Sequence, residues 1–520
     1  MVQYMDNNSG FNQWNANKNA TAKRSGFSGF LWWFLIFLTA WWLVGTVSAP
    51  KQNNQTVTED ATVVDMSDVP QYTIDTEKIN ASVQGLRISN IKLSEFDMDT
   101  NSSDKVTLLS GDDNFIEVGM LASGTNAPVA NTVWKSADNK YTWRNSDGVN
   151  FTRTIDTDGY IITITDTVQN NSKQNISVSP YARIVRENDM KSAAGVTNGA
   201  VAYVNSDVED VPWHKLDKKS YAYSTTNGFS GFADQYWETV TSIDSPDQTI
   251  RVKKSGDKYI SDAAAGAVPV VSGGNATIIT HIFAGPREQS VLDSAEHKIA
   301  GLAETIDYGW FWFLARPMLW VLNAIHHIVM NYGVAIIIMT ILLRLLMWPL
   351  TRKSYTNMVA MQKMQPEMQR IQKLYANDKM RLQMEMMKLY QTHKTTPMSG
   401  CLPMLIQIPI FFALYKALLV SVPMRNAHFL WISDLSAMDP YFILPILMGA
   451  TMWLQQYLQT PQTKSSNPND ITAQTQKMMR WMPILFTIMF AWMPAGLVLY
   501  WTVSNIFGIV QMQIIKKQSK

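Results

Sequence analysis

Along this 520-residue chain the spacing of apolar positions changes character three times. Between residues 70 and 303 apolar and polar positions alternate over short stretches: Tyr160–Val168 (YIITITDTV), Val201–Val204, Gln248–Val252, Tyr259–Ile260 and Ala276–Phe283. A period of two is what a strand with one buried face requires. Asp156-Thr157-Asp158-Gly159, just before the first stretch, is a hairpin signal. Many short strands without helical interruption predict a β-sandwich. Residues 304–330 differ: Trp310, Phe311, Trp312, Phe313, Met318, Trp320 and Leu322 crowd a segment interrupted by Arg316-Pro317. Tryptophan favours the membrane–water interface, so this segment reads as an amphipathic interfacial helix. Beyond it come long apolar runs. Gly333–Leu350, Leu402–Val422, Tyr441–Leu458, Met478–Trp492 and Leu497–Ile515, together with Phe27–Val47, make six candidate spans near the ~20 apolar residues that a bilayer needs.

Between the second and third runs, Met361, Met364, Met368, Ile371 and Leu374 recur at three- and four-residue steps, as do Leu382, Met386 and Leu389. With Ala376-Asn377-Asp378 as the break, this predicts an antiparallel helical hairpin over residues 352–398. The expected organisation is a polar tail over 1–26, a transmembrane anchor over 27–47, a linker over 48–69, the β-domain over 70–303, the interfacial helix over 304–330 and a helical membrane region over 331–520.

One residue breaks the apolar pattern decisively. Arg344 lies inside Gly333–Leu350, and no Asp or Glu occurs in the other apolar runs of the C-terminal half. An arginine at the centre of a spanning helix costs about 2.5–3.5 kcal/mol on insertion scales, and the cost falls when it faces water or polar partners. Uncharged polar residues accompany it: Thr340 one turn earlier, Gln407, Thr487, Thr502, Ser504 and Asn505. Singly, each reads as an interhelical hydrogen bond. Together with the arginine they predict a hydrated groove. Lys416 lies nearer the outer end of its run, where its long side chain can reach the interface.

Charge orients the chain. Residues 51–300 are acidic and the remainder basic, although the whole carries only +2. Lys18, Lys23 and Arg24 precede the first run, Arg352, Lys353, Lys363 and Arg370 follow the second, and Lys516, Lys517 and Lys520 close the chain. The positive-inside rule then places both termini and the hairpin in the cytoplasm and the acidic β-domain outside. The single cysteine, Cys401, excludes internal disulfides and cysteine-based metal sites, and it is expected at a cytoplasmic helix end. His326-His327 point about 100° apart on a helix and make a poor metal pair. Gly26-Phe27-Ser28-Gly29 and Gly228-Phe229-Ser230-Gly231 read as turns. No phosphate-cradling loop, HExxH or GxSxG occurs, so no enzyme chemistry, cofactor or specific nucleic-acid binding is expected. The residues alone leave open a solute transporter or channel with an outer sensor domain, or a receptor-like anchor.

Several motifs are more specific. Pro403–Tyr415 (PMLIQIPIFFALY), Trp431–Ser436 before Asp439-Pro440, Tyr441–Gly449 (YFILPILMG), Pro494–Tyr500 (PAGLVLY) with Ser504-Asn505, and Asp307-Tyr308-Gly309-Trp310 closely resemble the YidC family of membrane protein insertases. The resemblance is to the Gram-negative type with a large periplasmic domain. It implies a polytopic α-helical membrane protein of the bacterial inner membrane with a five-helix insertase core. It also implies a periplasmic all-β supersandwich that resembles sugar-binding folds, without a matching catalytic pair here. The implied activity is insertion and chaperoning of membrane proteins through a hydrophilic groove whose arginine maps onto Arg344. The implied partners are nascent membrane proteins, the Sec translocon, lipid, and the ribosome and signal-recognition components at the hairpin.

Overall fold

The computed structural model describes residues 64–99, 102–137, 139–187, 198–376, 378–393, 402–459 and 471–518. The expected tail, first anchor and most of the linker, the first GFSG and Cys401 lie outside these residues. By contacts the chain divides into two compact units, one containing Val321–Phe411 and Ala437–Lys520, the other Ala49–Trp320 and Phe412–Ser436.

The second unit is built on two antiparallel sheets. One runs in the order Gln71–Asp75, Ile79–Gln84, Arg87–Asp97, Phe115–Ser123, Ile176–Glu187, Lys258–Ala265, Gln248–Ser255, Tyr221–Thr225. The other runs Asp207–Pro212, Gly199–Val204, Phe229–Ala233, Trp237–Ile243, Asn275–Pro286, Ile161–Asn170, Val149–Asp158, Lys140–Arg144, Lys135–Ala137. Val149–Asp158 shows why the strands form: Val149, Phe151, Arg153 and Ile155 turn inward, and the residues between them remain partly exposed. Its hairpin to Ile161–Asn170 closes at Gly159, whose φ of 61° suits glycine. Phe151, Ile162, Ile116, Phe229 and Phe283 are among the side chains sealed in the core.

The expected β-sandwich is therefore present, with one correction. Gly228–Gly231 is not a turn throughout: Phe229-Ser230-Gly231 begins the strand Phe229–Ala233, every residue of which is buried. Ser230 Oγ accepts from the Ser261 hydroxyl at 2.9 Å. A Cβ on Gly231 would sit 2.0 Å from the Thr239 carbonyl oxygen, so this glycine permits a close strand approach rather than a turn.

The helices are α1 (Trp312–Val329), α2 (Tyr332–Leu346), α3 (Trp348–Leu374), α4 (Lys379–Thr392), α5 (Leu402–Val420), α6 (Ile443–Gln459), α7 (Ile471–Phe490) and α8 (Ala495–Gln518). α1 occupies the later part of residues 304–330, from Trp312 to Val329. The Asn331 side chain caps α2 by accepting from Val334 N at 3.1 Å. The second predicted run does not continue to Leu350. α2 ends at Leu346, because Pro349 lies in the first turn of a new helix, and α2 and the start of α3 bend by 65°. Among the described residues, α8 alone is long and apolar enough to cross a membrane, and the bent α2–α3 pair qualifies only if taken together. Leu405–Val420 and Trp481–Phe490 are apolar but shorter.

α3 and α4 form a helical hairpin. Met364 is buried, and Leu382, Met386 and Leu389 are half-buried, while Met380, Met384 and Met387 are exposed. Asp378 caps α4, accepting from Arg381 N at 3.0 Å. The base of α3 is anchored where Tyr355 packs with Met512 and Ile515 of α8. α8 lies against α2, α3 and α6. Its Gly508 admits Gln455, whose Nε2 would be 3.1 Å from an added Cβ. Ile446, Leu447, Trp453, Ile484, Ile488 and Ile506 form exposed apolar faces of the kind that mark membrane or protein contact.

Candidate functional site

Within the helical unit, α2, α5 and α8 bring three of the predicted polar residues together. Residues 500 and 504 are one turn apart on α8, so Tyr500 and Ser504 share a face. Arg344, near the end of α2, donates from Nε to Ser504 Oγ at 2.8 Å and from Nη2 to the same oxygen. Gln407 of α5 donates to the Tyr500 hydroxyl at 2.6 Å. Gln511 adds a bond from its Nε2 to the Arg344 carbonyl at 3.3 Å. Among the described residues the guanidinium has no carboxylate partner. Its positive charge is therefore oriented by a neutral hydroxyl and not cancelled.

A narrow cleft opens here, lined by Leu343, Arg344, Met347, Thr351, Gln407 and Tyr500 among others. Its wall is mixed: the stems of Leu343 and Met347 are apolar, and the tips of Arg344, Gln407 and Tyr500 are polar. Such an arrangement can solvate a polar group between otherwise apolar helices. Among the described residues no cluster of His, Cys, Asp or Glu is placed to hold a metal.

The other predicted residues are arranged differently. Thr340 and Thr502 are buried, and each hydroxyl donates to its own helix, to Ile336 O at 2.6 Å and Val498 O at 2.8 Å. Thr487 does the same to Pro483 O at 2.8 Å. Its Oγ1 would be 1.9 Å from a Cβ on Gly449, so it packs against the bare backbone of α6. Asn505 bridges α8 to α6, donating to Met448 O at 3.4 Å and Thr451 Oγ1 at 3.3 Å. These four are satisfied within or between helices. Tyr500 was not among the expected site residues. Its position four residues before Ser504 on an apolar helix was the available signal.

The Lys416 ammonium pairs with Asp307 Oδ2 at 2.6 Å. The adjacent His326 and His327 do not converge: His326 stacks on Tyr332 with ring centres 3.8 Å apart.

Two family descriptions match the chain, "YidC periplasmic domain" over residues 71–321 and "60Kd inner membrane protein" over residues 324–520. A protein of Magnetococcus marinus described as "Membrane protein insertase YidC" is 37% identical over 420 residues, which is 77% of this chain and 74% of that protein. One of Rickettsia bellii with the same description is 34% identical over 520 residues, covering 90% and 91%. Among solved structures, "Active YidC insertase crystal structure with the first transmembrane domain resolved" aligns with 86% of this chain and 94% of its own at 17% identity, with a TM-score of 0.36. The chain belongs to the YidC family, with the family's periplasmic β-sandwich domain joined to its helical C-terminal region.

Proposed function

We propose that this protein inserts and chaperones membrane proteins at the bacterial inner membrane, and that the cleft at Arg344 is the entry for the polar segment that must cross. The observation that carries this reading is Arg344 itself, a cation set by Ser504 with no carboxylate partner among the described residues. A short hydrophilic tail enters the cleft and so avoids the full hydrocarbon thickness. Its apolar helix leaves sideways into lipid and gains burial of apolar surface. Acidic groups in the tail are drawn to Arg344, and Gln407, Tyr500 and Ser504 supply polar contacts. In this reading the chain spans the membrane six times, counting residues 27–47, with both termini cytoplasmic and the β-domain periplasmic. Short helices fit such a region, because short spans thin the surrounding bilayer. The hairpin α3–α4 receives the ribosome or signal-recognition components, and the protein works alone or beside the Sec translocon.

Reconstitution into protein-only liposomes tests this. One single-span substrate is supplied with its tail acids present or neutralised, to wild type, Arg344→Ala and Arg344→Lys. A charge pair near a surface is worth about 1–4 kcal/mol at 4 Å. Arg344→Ala is therefore expected to lower insertion of the acidic tail about fivefold or more, and of the neutral tail less than twofold. Arg344→Lys keeps most activity, since attraction in a wet cleft needs charge more than a forked geometry. Equal defects for both tails would remove the electrostatic role, and absence of wild-type insertion would remove the insertase reading.

A further inference from the structure

One face of α8 holds Arg344 at both of its ends. Residues 504 and 511 lie two turns apart on the same side of that helix, about 10 Å along its axis. Ser504 accepts from the guanidinium, and Gln511 Nε2 donates to the Arg344 main-chain carbonyl at 3.3 Å. Helical carbonyls point toward the C-terminus, and side chains lean toward the N-terminus. The Arg344 carbonyl therefore faces the later residue, Gln511, and its guanidinium the earlier one, Ser504. α2 and α8 thus run in the same direction here. All of these residues belong to the helical unit.

The gripped carbonyl sits where α2 gives out. Met347 N donates to the Leu343 carbonyl at 3.0 Å, so the Arg344 carbonyl is the first of the last four, which have no partner within the helix. Trp348 opens α3, Pro349 follows it, and the two axes part by 65°. The next residues of α8 hold the other arm of this bend, where Met512 and Ile515 pack with Tyr355. Gln511 itself is 1% exposed, and its Oε1 is buried without a hydrogen-bond partner among the described residues. Its amide cannot turn over, because that would set its oxygen against the Arg344 carbonyl. An apolar side chain of the same length would bury no unpaired oxygen. Packing alone therefore does not account for a glutamine here, whereas the bond to Arg344 does.

We propose that Gln511 is a positioning residue: by gripping the Arg344 carbonyl at the α2–α3 bend, it sets where the guanidinium stands in the cleft. Gln511 does not line the cleft, so it acts through Arg344. Ser504 orients the charged tip, and Gln511 fixes the backbone from which that tip extends. Without Gln511 the last turn of α2 is free to unwind toward the bend, and the arginine moves with it. The consequence for insertion rests on the insertase reading, whereas the grip on the bend does not.

The test uses the full chain carrying Gln511→Met, Arg344→Ala or both, in liposomes, with one single-span substrate whose tail acids are present or neutralised. Gln511→Met is expected to lower insertion of the acidic tail about three- to fivefold, within what one hydrogen bond is worth, and of the neutral tail less than twofold. In the Arg344→Ala background it is expected to add nothing, because a residue that acts through the guanidinium loses its effect once the guanidinium is gone. A second readout needs no substrate: the maleimide labelling rate of Met347→Cys, at the bend, on a Cys401→Ser background in detergent. Gln511→Met is expected to shift that rate at least threefold. An unchanged labelling rate would overturn the proposal. So would a Gln511→Met loss equal for both tails, or one that persists in full without Arg344, since either marks a residue that merely packs α8. Failure of wild-type insertion would count against the insertase reading alone, since labelling still decides the grip on the bend.

Discussion

Two arginines, one in each unit, are treated in opposite ways. Arg153 projects into the β-sandwich from a strand paired in register with its acid partner, and its Nε and Nη2 reach the two oxygens of Asp166, each at 2.8 Å. Nη2 also donates to the Val118 carbonyl, and the guanidinium lies over the Trp134 ring. Arg344 is held by one serine hydroxyl. A forked pair with its own carboxylate is a finished structural part, with its charge compensated inside the fold. A guanidinium oriented by a neutral group keeps its charge uncompensated. The contrast separates an arginine whose charge is compensated inside the fold from one available for the proposed role more sharply than burial does.

The largest expected effect is at the first of the pair. Asp166→Ala leaves Arg153 buried without its countercharge, which costs about 3–5 kcal/mol. Thermal unfolding of the full-length protein in detergent, followed by circular dichroism in the β-sheet region, is expected to show a markedly lower first transition. A loss below about 1 kcal/mol would erase the distinction drawn here.

Glu238 is an intermediate case. It is fully buried, and Arg287 Nε is 3.6 Å away, longer than in the Arg153 pair. Burial is the largest influence on Glu238 and pushes its carboxyl up to about 7 from an ordinary 4.5, although Arg287 and Thr305 act the other way. The folded state therefore binds a proton more readily than the unfolded state between these values. Stability from this group is present on the acid side, declines as pH rises toward 7 and is flat above it. Asp210, raised to about 6 by burial, contributes with the same sign. Melting curves of wild type and Glu238→Gln from pH 8 to pH 5.5 are expected to differ in slope, by roughly 1–3 kcal/mol across the window. Parallel curves would mean that Arg287 compensates Glu238 as fully as Asp166 compensates Arg153.

The smallest effect is expected at Ser504→Ala. Arg344 loses an acceptor, worth about 1 kcal/mol in folding, but keeps its charge. Insertion of acidic-tailed substrates is expected to stay within twofold of wild type. A tenfold loss would transfer the essential role from the cation to the hydroxyl.

The parts legible beforehand were those governed by a single local rule. The Tyr160–Val168 alternation, the hairpin periodicity and a lone arginine in an apolar run each depend on neighbours in sequence. The missed parts depend on what packs against both sides. All of Phe229–Ala233 and Trp237–Ile243 is buried, so these strands show no alternation, and their glycine and serine read as a turn. The end of α2 at Leu346 was hidden because Met347, Trp348 and Leu350 continue the apolar composition, although Pro349 begins a new axis. Arg344, Ser504 and Gln407 lie together, but Thr340, Thr502 and Thr487 resemble them in sequence and differ in that each hydroxyl turns back onto its own helix. The Asp307–Lys416 pair joins residues 109 apart and leaves no periodic trace.

The grouping of Phe412–Ser436 with the β-sheets sets a timetable for biosynthesis. Gln235 is tied to Leu419, while Arg425 lies over Trp237 and donates to the carbonyls of Asp97 and Met98. The last sheet strand ends at Pro286, yet this covering piece is finished only about 150 residues later in the chain. At a translation rate of about 5–20 residues per second, the sheets wait roughly eight to thirty seconds for the segment that closes over them. During that interval Trp237 and its neighbours lack part of their cover, a brief opportunity for a folding factor on that side of the membrane to engage the young domain.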